Sequence, residues 1–242
     1  MTHPASARVR ILGEPVDLVT PAELMSFAAR RVAAHQKGLV IGKSSRGLAA
    51  ARRDPDVRAA YERADLTPPD GGLLPIWGRL TGKADRRQVK GAGYTRWRDD
   101  FWRIAAQNGW KVFLVGSPGG LAAAAASRLQ ARFPGAKTAA VDAAGSDGAI
   151  AAAIDGFRPD VILADLEVEE LAALIRRLGD TLESGVMIAA EGALGFEAGG
   201  GVERRRSGRR FGDRLALLPS MGRDILDMLE YREEQSTGMR LY

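Results

Sequence analysis

The sequence predicts one α/β domain of the Rossmann-like type, with a mostly parallel sheet, helices on both faces and a basic, amphipathic C-terminal appendage. Three observations carry this. Short apolar runs alternate with helical stretches along most of the chain, the pattern of strands joined by crossover helices. Apolar residues are 45% and charged residues 27% of the 242, the composition of a globular chain long enough to close a full core. Arginines crowd into one late segment, Glu203 to Arg214, after the run Gly199-Gly200-Gly201. The boundaries follow: residues 1–201 for the α/β domain and 202–242 for the appendage.

Val9 to Leu12 and Pro15 to Leu18 are alternating runs separated by a turn, an edge hairpin. Thr20-Pro21 opens a helix that runs to about Ala34, with threonine as cap and proline at the first helical position. Leu39 to Ile41 is a buried strand. Two helices follow, divided at Asp54-Pro55, and Asp65 to Thr67 is a short strand ending at Pro68-Pro69-Asp70-Gly71-Gly72. A helix over Leu73 to Leu80, a linker over Lys83 to Lys90 and a helix over Thr95 to Gln107 come next, the last closed by Gly109 in a left-handed cap. Lys111 to Val115 is the clearest strand. The turn Gly116-Ser117-Pro118-Gly119-Gly120 leads into an alanine-rich helix that ends near Phe133. Strands at Thr138–Val141, Asp160–Ala164 and Val186–Ala190 alternate with helices at Asp147–Asp155 and Val168–Leu178. In the tail, Leu217, Leu218, Met221, Ile225 and Leu229 recur at helical spacing.

Composition excludes several chemistries. There is no cysteine, hence no disulfide framework, zinc ribbon or thiol nucleophile. The two histidines, His3 and His35, form no metal site or triad with a carboxylate. No apolar run approaches the roughly 20 residues that span a bilayer, and the first ten residues do not read as a signal peptide, so the expected location is cytoplasmic. The net charge of +5 is modest. The basic segment, with Arg204, Arg205, Arg206, Arg209, Arg210 and Arg214, suits a diphosphate, an anionic lipid surface or nucleic acid; a solvated arm is the plainer reading.

Ligands of open α/β sheets bind at the carboxyl ends of strands. Three such ends carry notable residues. Gly116 to Gly120 lets backbone approach a phosphate at a helix start, although a plain tight turn explains it equally well. Asp70, framed by two prolines and two glycines, has the setting of a general base or of a helix cap. Glu191-Gly192 follows the last strand and either lines a pocket or packs closely. Gly42-Lys43-Ser44-Ser45 lacks the upstream glycine and long loop of a P-loop. Trp77, Trp97, Trp102 and Trp110 read as core or interface rather than as a sugar platform.

In order and spacing, these signals resemble the WecG/TagA/CpsF family of bacterial glycosyltransferases. Pro55-Asp56-Val57-Arg58 with Ala64-Asp65-Leu66-Thr67-Pro68-Pro69-Asp70-Gly71 is similar to the segment around that family's catalytic aspartate. Val89-Lys90-Gly91, Val112 to Gly116 with Pro118-Gly119, Pro134-Gly135, Arg158 to Ile162, and Gly192-Ala193 through Phe196 to Ala198-Gly199 follow in the family's order. An arginine-rich tail closes the pattern. The similarity covers about Val16 to Arg232.

The resemblance implies an inverting enzyme that transfers a sugar, N-acetylmannosamine-type or related, from a UDP-sugar to a polyprenyl-diphosphate-linked acceptor in cell-surface polysaccharide synthesis. It implies no cofactor, no tightly held metal and peripheral attachment at the inner, anionic face of the cell membrane. Asp70 stands at the position of the base. Ser44, Gln88, Gly116, Ser117, Gly119, Glu191, Arg204, Arg206 and Arg209 are the substrate-binding candidates. Several polar positions differ. Gly42-Lys43-Ser44 replaces the family's Thr-x-Asn, Gln88 an arginine, Gly93 and Gly195 aspartates, and Glu169 to Ala172 the Pro-x-Gln-Glu segment. These differences support an alternative: a catalytically degenerate relative that binds a nucleotide-sugar or a partner glycosyltransferase and regulates synthesis. Self-association stays open. Charge alone suggests nucleic acid, and the absence of an aromatic and basic reading surface argues against it.

Overall fold

The computed structural model describes residues 7–70, 73–80, 93–143, 147–178 and 185–199. β1 (Ala7–Ile11) and β2 (Glu14–Leu18) form an antiparallel hairpin. The turn holds Leu12 and Gly13 at positive φ. Then come α1 (Pro21–Ala33), β3 (Gly38–Val40), α2 (Ser45–Arg53), α3 (Pro55–Arg63), α4 (Leu73–Leu80), α5 (Tyr94–Asn108), β4 (Lys111–Gly116) and α6 (Leu121–Arg132). β5 (Lys137–Asp142), α7 (Asp147–Phe157), β6 (Val161–Asp165), α8 (Val168–Leu178), β7 (Val186–Ala189) and the short α9 (Ala193–Glu197) complete the order.

The helix boundaries follow from local chemistry. Thr20 Oγ1 accepts from the Glu23 amide while the Glu23 carboxylate accepts from the Thr20 amide, a reciprocal cap ahead of Pro21. Asp54 ends α2 and starts α3, its carboxylate accepting from the Asp56 amide at 2.8 Å. Gly109, at φ 65°, closes α5 in the left-handed conformation that glycine adopts without strain.

The five-stranded sheet is parallel throughout, in the order β3-β7-β6-β4-β5. Strand alternation divides its side chains between two cores. Val112, Leu114, Val161, Leu163, Val186 and Ile188 pack under α1, α5, α6 and α9. Phe113, Val115, Ile162, Ala164 and Met187 pack under α2, α3, α7 and α8. Burial on both faces is what a parallel sheet requires. The hairpin lies apart from this sheet, over a third cluster that includes Leu48, Leu74 and Trp77.

Two local expectations need correction. Asp65 to Thr67 forms no strand. Leu66 and Pro69 each make a single bridge, to Val40 and Lys43. The amides of residues 66 and 70 face β3, so residue 68 should supply the bond between them, but Pro68 has no N–H. The five-residue α9 after Gly192 was not expected. The linker from Lys83 to Lys90 and the whole tail from Val202, including its amphipathic stretch, lie outside the described residues. Among the described residues, no helix is long and apolar enough to cross a membrane.

The hairpin is docked through charge as well as apolar packing. The Asp17 carboxylate is buried and accepts from Arg8 Nε at 2.7 Å, the Thr67 amide at 2.6 Å and Thr67 Oγ1 at 3.2 Å. Burial pushes the Asp17 carboxyl up, but the bonds from Arg8 and Thr67 and the Arg8 charge outweigh it, leaving its pKa below the usual carboxylate value. Such a depressed group stabilises the fold fully above its unfolded pKa of about 3.9, and that contribution is lost as pH falls through the folded pKa. Asp17→Ala is therefore expected to lower the unfolding free energy at pH 7 by about 1–3 kcal/mol, since it strands the buried Thr67 amide. Urea unfolding at pH 7 and again below about pH 4 should show the gap to the wild type narrowing in acid.

Candidate functional site

The site is built around a segment that runs beside β3 without being a strand. The Leu66 amide donates to Leu39 O, the Ile41 amide to Leu66 O at 3.0 Å, the Lys43 amide to Pro68 O at 2.7 Å and the Asp70 amide to Lys43 O at 2.7 Å. At its start the Asp65 carboxylate accepts from the Leu39 amide at 2.9 Å and from Arg31 at 3.0 Å. On its other side, the Asp17 amide donates to Thr67 O at 3.0 Å. With Pro68 and Pro69 fixing φ, the segment delivers Asp70 to the carboxyl end of the sheet.

There Asp70 and Glu191 line one small cavity at the ends of β3 and β7. Its walls are the apolar side chains of Leu24 and Ile188 and the rings of Tyr94 and Trp97. The chain divides here: β3 leads into helices on one face, β7 into α9 on the other. Such a reversal opens a crevice in an α/β sheet. Gly42 forms part of the lining, and a Cβ on it would stand 2.9 Å from Asp70 Cβ and 3.1 Å from Asp70 Oδ2. Glycine at this position is what allows the carboxylate to lie against the backbone. Beneath, buried Tyr61 has its hydroxyl pKa raised, by burial first and then by the charges of Asp70 and Glu191.

The other sequence candidates fall elsewhere. Ser44 caps α2, its hydroxyl accepting from the Gly47 amide at 3.1 Å. The Lys43 side chain is buried beneath the hairpin, donating to Pro15 O at 2.8 Å and lying over the Tyr61 ring. Burial lowers its pKa, against the opposing pull of Glu14. It points away from any P-loop role. Gly116, Ser117 and Gly119 form a second locus at the end of β4, and none of them lines the Asp70 cavity. Gly116 pairs with Asp142 on one side and Asp165 on the other. Both carboxylates turn onto helix starts: Asp142 accepts from the Gly120 amide at 3.0 Å, and Asp165 from the Gly192 and Leu194 amides at 2.7 and 2.8 Å. A Cβ on Gly116 would come within 2.9 Å of Leu194 and 3.1 Å of Ala122, so this glycine serves the close approach of α6 and α9. Ser117 donates to Glu170 at 2.9 Å. Gln88, Arg204, Arg206 and Arg209 lie outside the described residues.

Sequence reasoning missed two features. Arg46, at the first turn of α2, pairs with Glu167 and with Glu169 across the carboxyl end of the sheet. Tyr94 and Arg98 on α5 bond Glu197 on α9. Partners so far apart in sequence leave no local pattern.

The family model described as "Glycosyl transferase WecG/TagA/CpsF family" matches residues 9–208. No curated protein matches the chain.

The contact between Gly42 and Asp70 yields a prediction. Gly42→Ala places a methyl group inside contact distance of Asp70, and is expected to lower stability by about 1–3 kcal/mol through overpacking. Denaturant unfolding compares it with Gly195→Ala, where a Cβ meets nothing within 4 Å. Equal stability of the two variants would contradict the close packing of Asp70.

Proposed function

The chain belongs to the WecG/TagA/CpsF family of glycosyltransferases, whose model spans residues 9–208 of 242, and from that premise we propose that it transfers a sugar, N-acetylmannosamine-type or related, from a UDP-sugar to a lipid-linked diphosphate acceptor in polysaccharide synthesis. The observation that carries this reading is Asp70, held beside Glu191 in a cavity at the carboxyl end of a parallel sheet. In the proposed step, an acceptor hydroxyl oxygen attacks the donor's anomeric carbon and forms the new glycosidic bond. Its proton passes to Asp70. The bond from the anomeric carbon to the UDP oxygen breaks, UDP leaves with the electron pair, and the anomeric centre inverts.

The remaining roles belong to the same proposal. Glu191 faces the reacting sugar. Ser44, Gln88 and the turn of Gly116, Ser117 and Gly119 contact the donor. At that turn a phosphate meets the Asp142 carboxylate already on the Gly120 amide, so donor contact there needs Asp142 to give way or to share the amides. Arg204, Arg206 and Arg209 neutralise the leaving diphosphate. With the rest of the basic segment they also hold the protein to the anionic inner membrane face, each worth roughly 1 kcal/mol near such a surface.

A second reading is that the chain binds a nucleotide-sugar, or a partner glycosyltransferase, without turnover. The end of β3 favours it. Gly42 brings no side chain where the family has threonine, and the hydroxyl of Ser44, where the family has asparagine, is engaged in capping α2.

Release of UDP in the presence of UDP-sugars and polyprenyl-diphosphate-linked acceptors separates the readings. Asp70→Asn keeps shape and removes basicity, and is expected to slow release by about 10²–10⁴. Wild-type rates in that variant would remove Asp70 as base. A wild type that binds UDP by calorimetry but releases none from any donor would favour the second reading. For the tail, co-sedimentation with anionic liposomes at low salt and release at high salt are expected, with both lost when Arg204, Arg205, Arg206, Arg209 and Arg210 become Gln. No sedimentation of the wild type at low salt would contradict the membrane role.

A further inference from the structure

Tyr94 and Glu197 are buried polar residues that the proposed step does not use. Tyr94 opens α5 and lines the cavity that holds Asp70. It follows Gly93, where an added Cβ would lie 3.8 Å from Asp70 Oδ1, so the start of α5 passes close beside the carboxylate. The Tyr94 hydroxyl donates to Glu197 Oε1 at 2.6 Å and accepts from Trp102 Nε1 at 2.8 Å. Arg98 grips the same carboxylate with both ends of its guanidinium, Nε to Oε1 at 2.7 Å and a terminal nitrogen to Oε2 at 2.9 Å. The guanidinium also lies over the Phe196 ring, 4.8 Å from its centroid. The Tyr94 ring meets Trp97, the other aromatic wall, edge to face at 5.0 Å.

A buried ion pair is a weak device for stability, because desolvating both charges offsets much of their attraction. What it does supply is a fixed acceptor at a fixed point. Glu197 sits on a helix of five residues, too short to hold itself, and the Arg98 grip registers that helix against α5. Tyr94 OH then has one place to donate, and its ring one orientation.

We propose that Tyr94 is a positioning residue of the Asp70 cavity, its ring locked as a wall beside the reacting groups by the Glu197 carboxylate that Arg98 holds in place. The inference rests on the glycosyltransferase reading for its kinetic consequence, though not for the geometry.

The test uses the full chain and variants whose expected orders of stability and of activity are opposite. Glu197→Gln keeps an oxygen that accepts from Tyr94 but leaves the buried Arg98 with only the exposed Asp99 as counter-ion, so it is the less stable variant. The double variant Arg98→Met with Glu197→Leu removes both charges together and costs less, the penalty being that of the buried Tyr94 hydroxyl whose acceptor it takes away. Positioning predicts that Glu197→Gln retains most of the turnover. In the double variant kcat falls by roughly ten- to a hundredfold with little change in KM, because reacting groups displaced by about 1 Å lose rate on that scale. Tyr94→Phe, which leaves the ion pair intact, is expected to follow the double variant. Activity that tracks thermal stability across the three, or a wild-type kcat in Tyr94→Phe, overturns the proposal.

Ring flipping of labelled Tyr94 by NMR decides the matter independently of turnover. Slow flipping in the wild type and in Glu197→Gln, with fast flipping in the double variant, supports the lock. Equal rates in all three overturn it. A wild type that transfers no sugar while its Tyr94 flips slowly counts against the glycosyltransferase reading alone.

Discussion

Two carboxylates on either side of one short segment hold the arrangement together. Asp65 binds the Leu39 amide and Arg31, and Asp17 binds the Thr67 amide and Arg8. Between them residues 65–70 run beside β3 with a gap in the ladder, because Pro68 has no amide to give. A segment so short of backbone bonds needs side-chain acceptors to fix it, and each of these is a charge accepting from a backbone N–H, the stronger class of hydrogen bond. The position of Asp70 depends on this tie. So does the hairpin, which reaches the domain through the same Asp17 and through Lys43 beneath it.

Around that anchor the sheet divides its labour. Two apolar cores, one on each face, hold the five parallel strands, and the carboxyl ends carry the polar chemistry. Asp142 and Asp165 flank Gly116 and turn onto the starts of α6 and α9. These helix starts are thus met by the protein's own carboxylates, which is favourable for the exposed amides and for the helix dipole. The Asp70 cavity differs in kind. Its walls are apolar and aromatic, and the acids Asp70 and Glu191 bring the polar groups.

Most of the fold was legible because its signals are local. The Thr20-Pro21 and Asp54-Pro55 pairs mark helix starts by hydrogen-bond chemistry within three residues, and Gly109 marks a helix end by its φ. The strands from Lys111 onward are apolar runs bounded by turns. Asp70 stood out as a candidate through its proline and glycine frame and through the family order around it. The Asp65–Thr67 segment misled because its composition reads as a strand while the following prolines withhold the bonds. What stayed hidden is long-range. Asp17 meets Thr67 at a separation of 50 residues and Arg98 meets Glu197 at 99, with no periodicity connecting them. The five-residue α9 has a glycine as its cap and another as its third residue, and its fixed position comes from tertiary contacts rather than from propensity. Gly116 stood out in the sequence as a point where backbone could approach a phosphate, whereas what the structure shows there is the close approach of Leu194 and Ala122, on helices that the sequence does not pair.

The proposed transfer depends on Asp70 being the carboxylate that faces the reacting sugar, at the end of β3 rather than at the Gly116 turn. A crystal structure of the protein with a non-hydrolysable UDP-sugar analogue tests this most directly. The anomeric carbon is expected to lie in the cavity between Asp70 and Glu191, with room beside Asp70 for an acceptor hydroxyl within hydrogen-bond reach, about 2.6–3.2 Å. A sugar bound with its anomeric carbon outside that cavity, and with Asp70 still turned onto the backbone of Gly42, would contradict it.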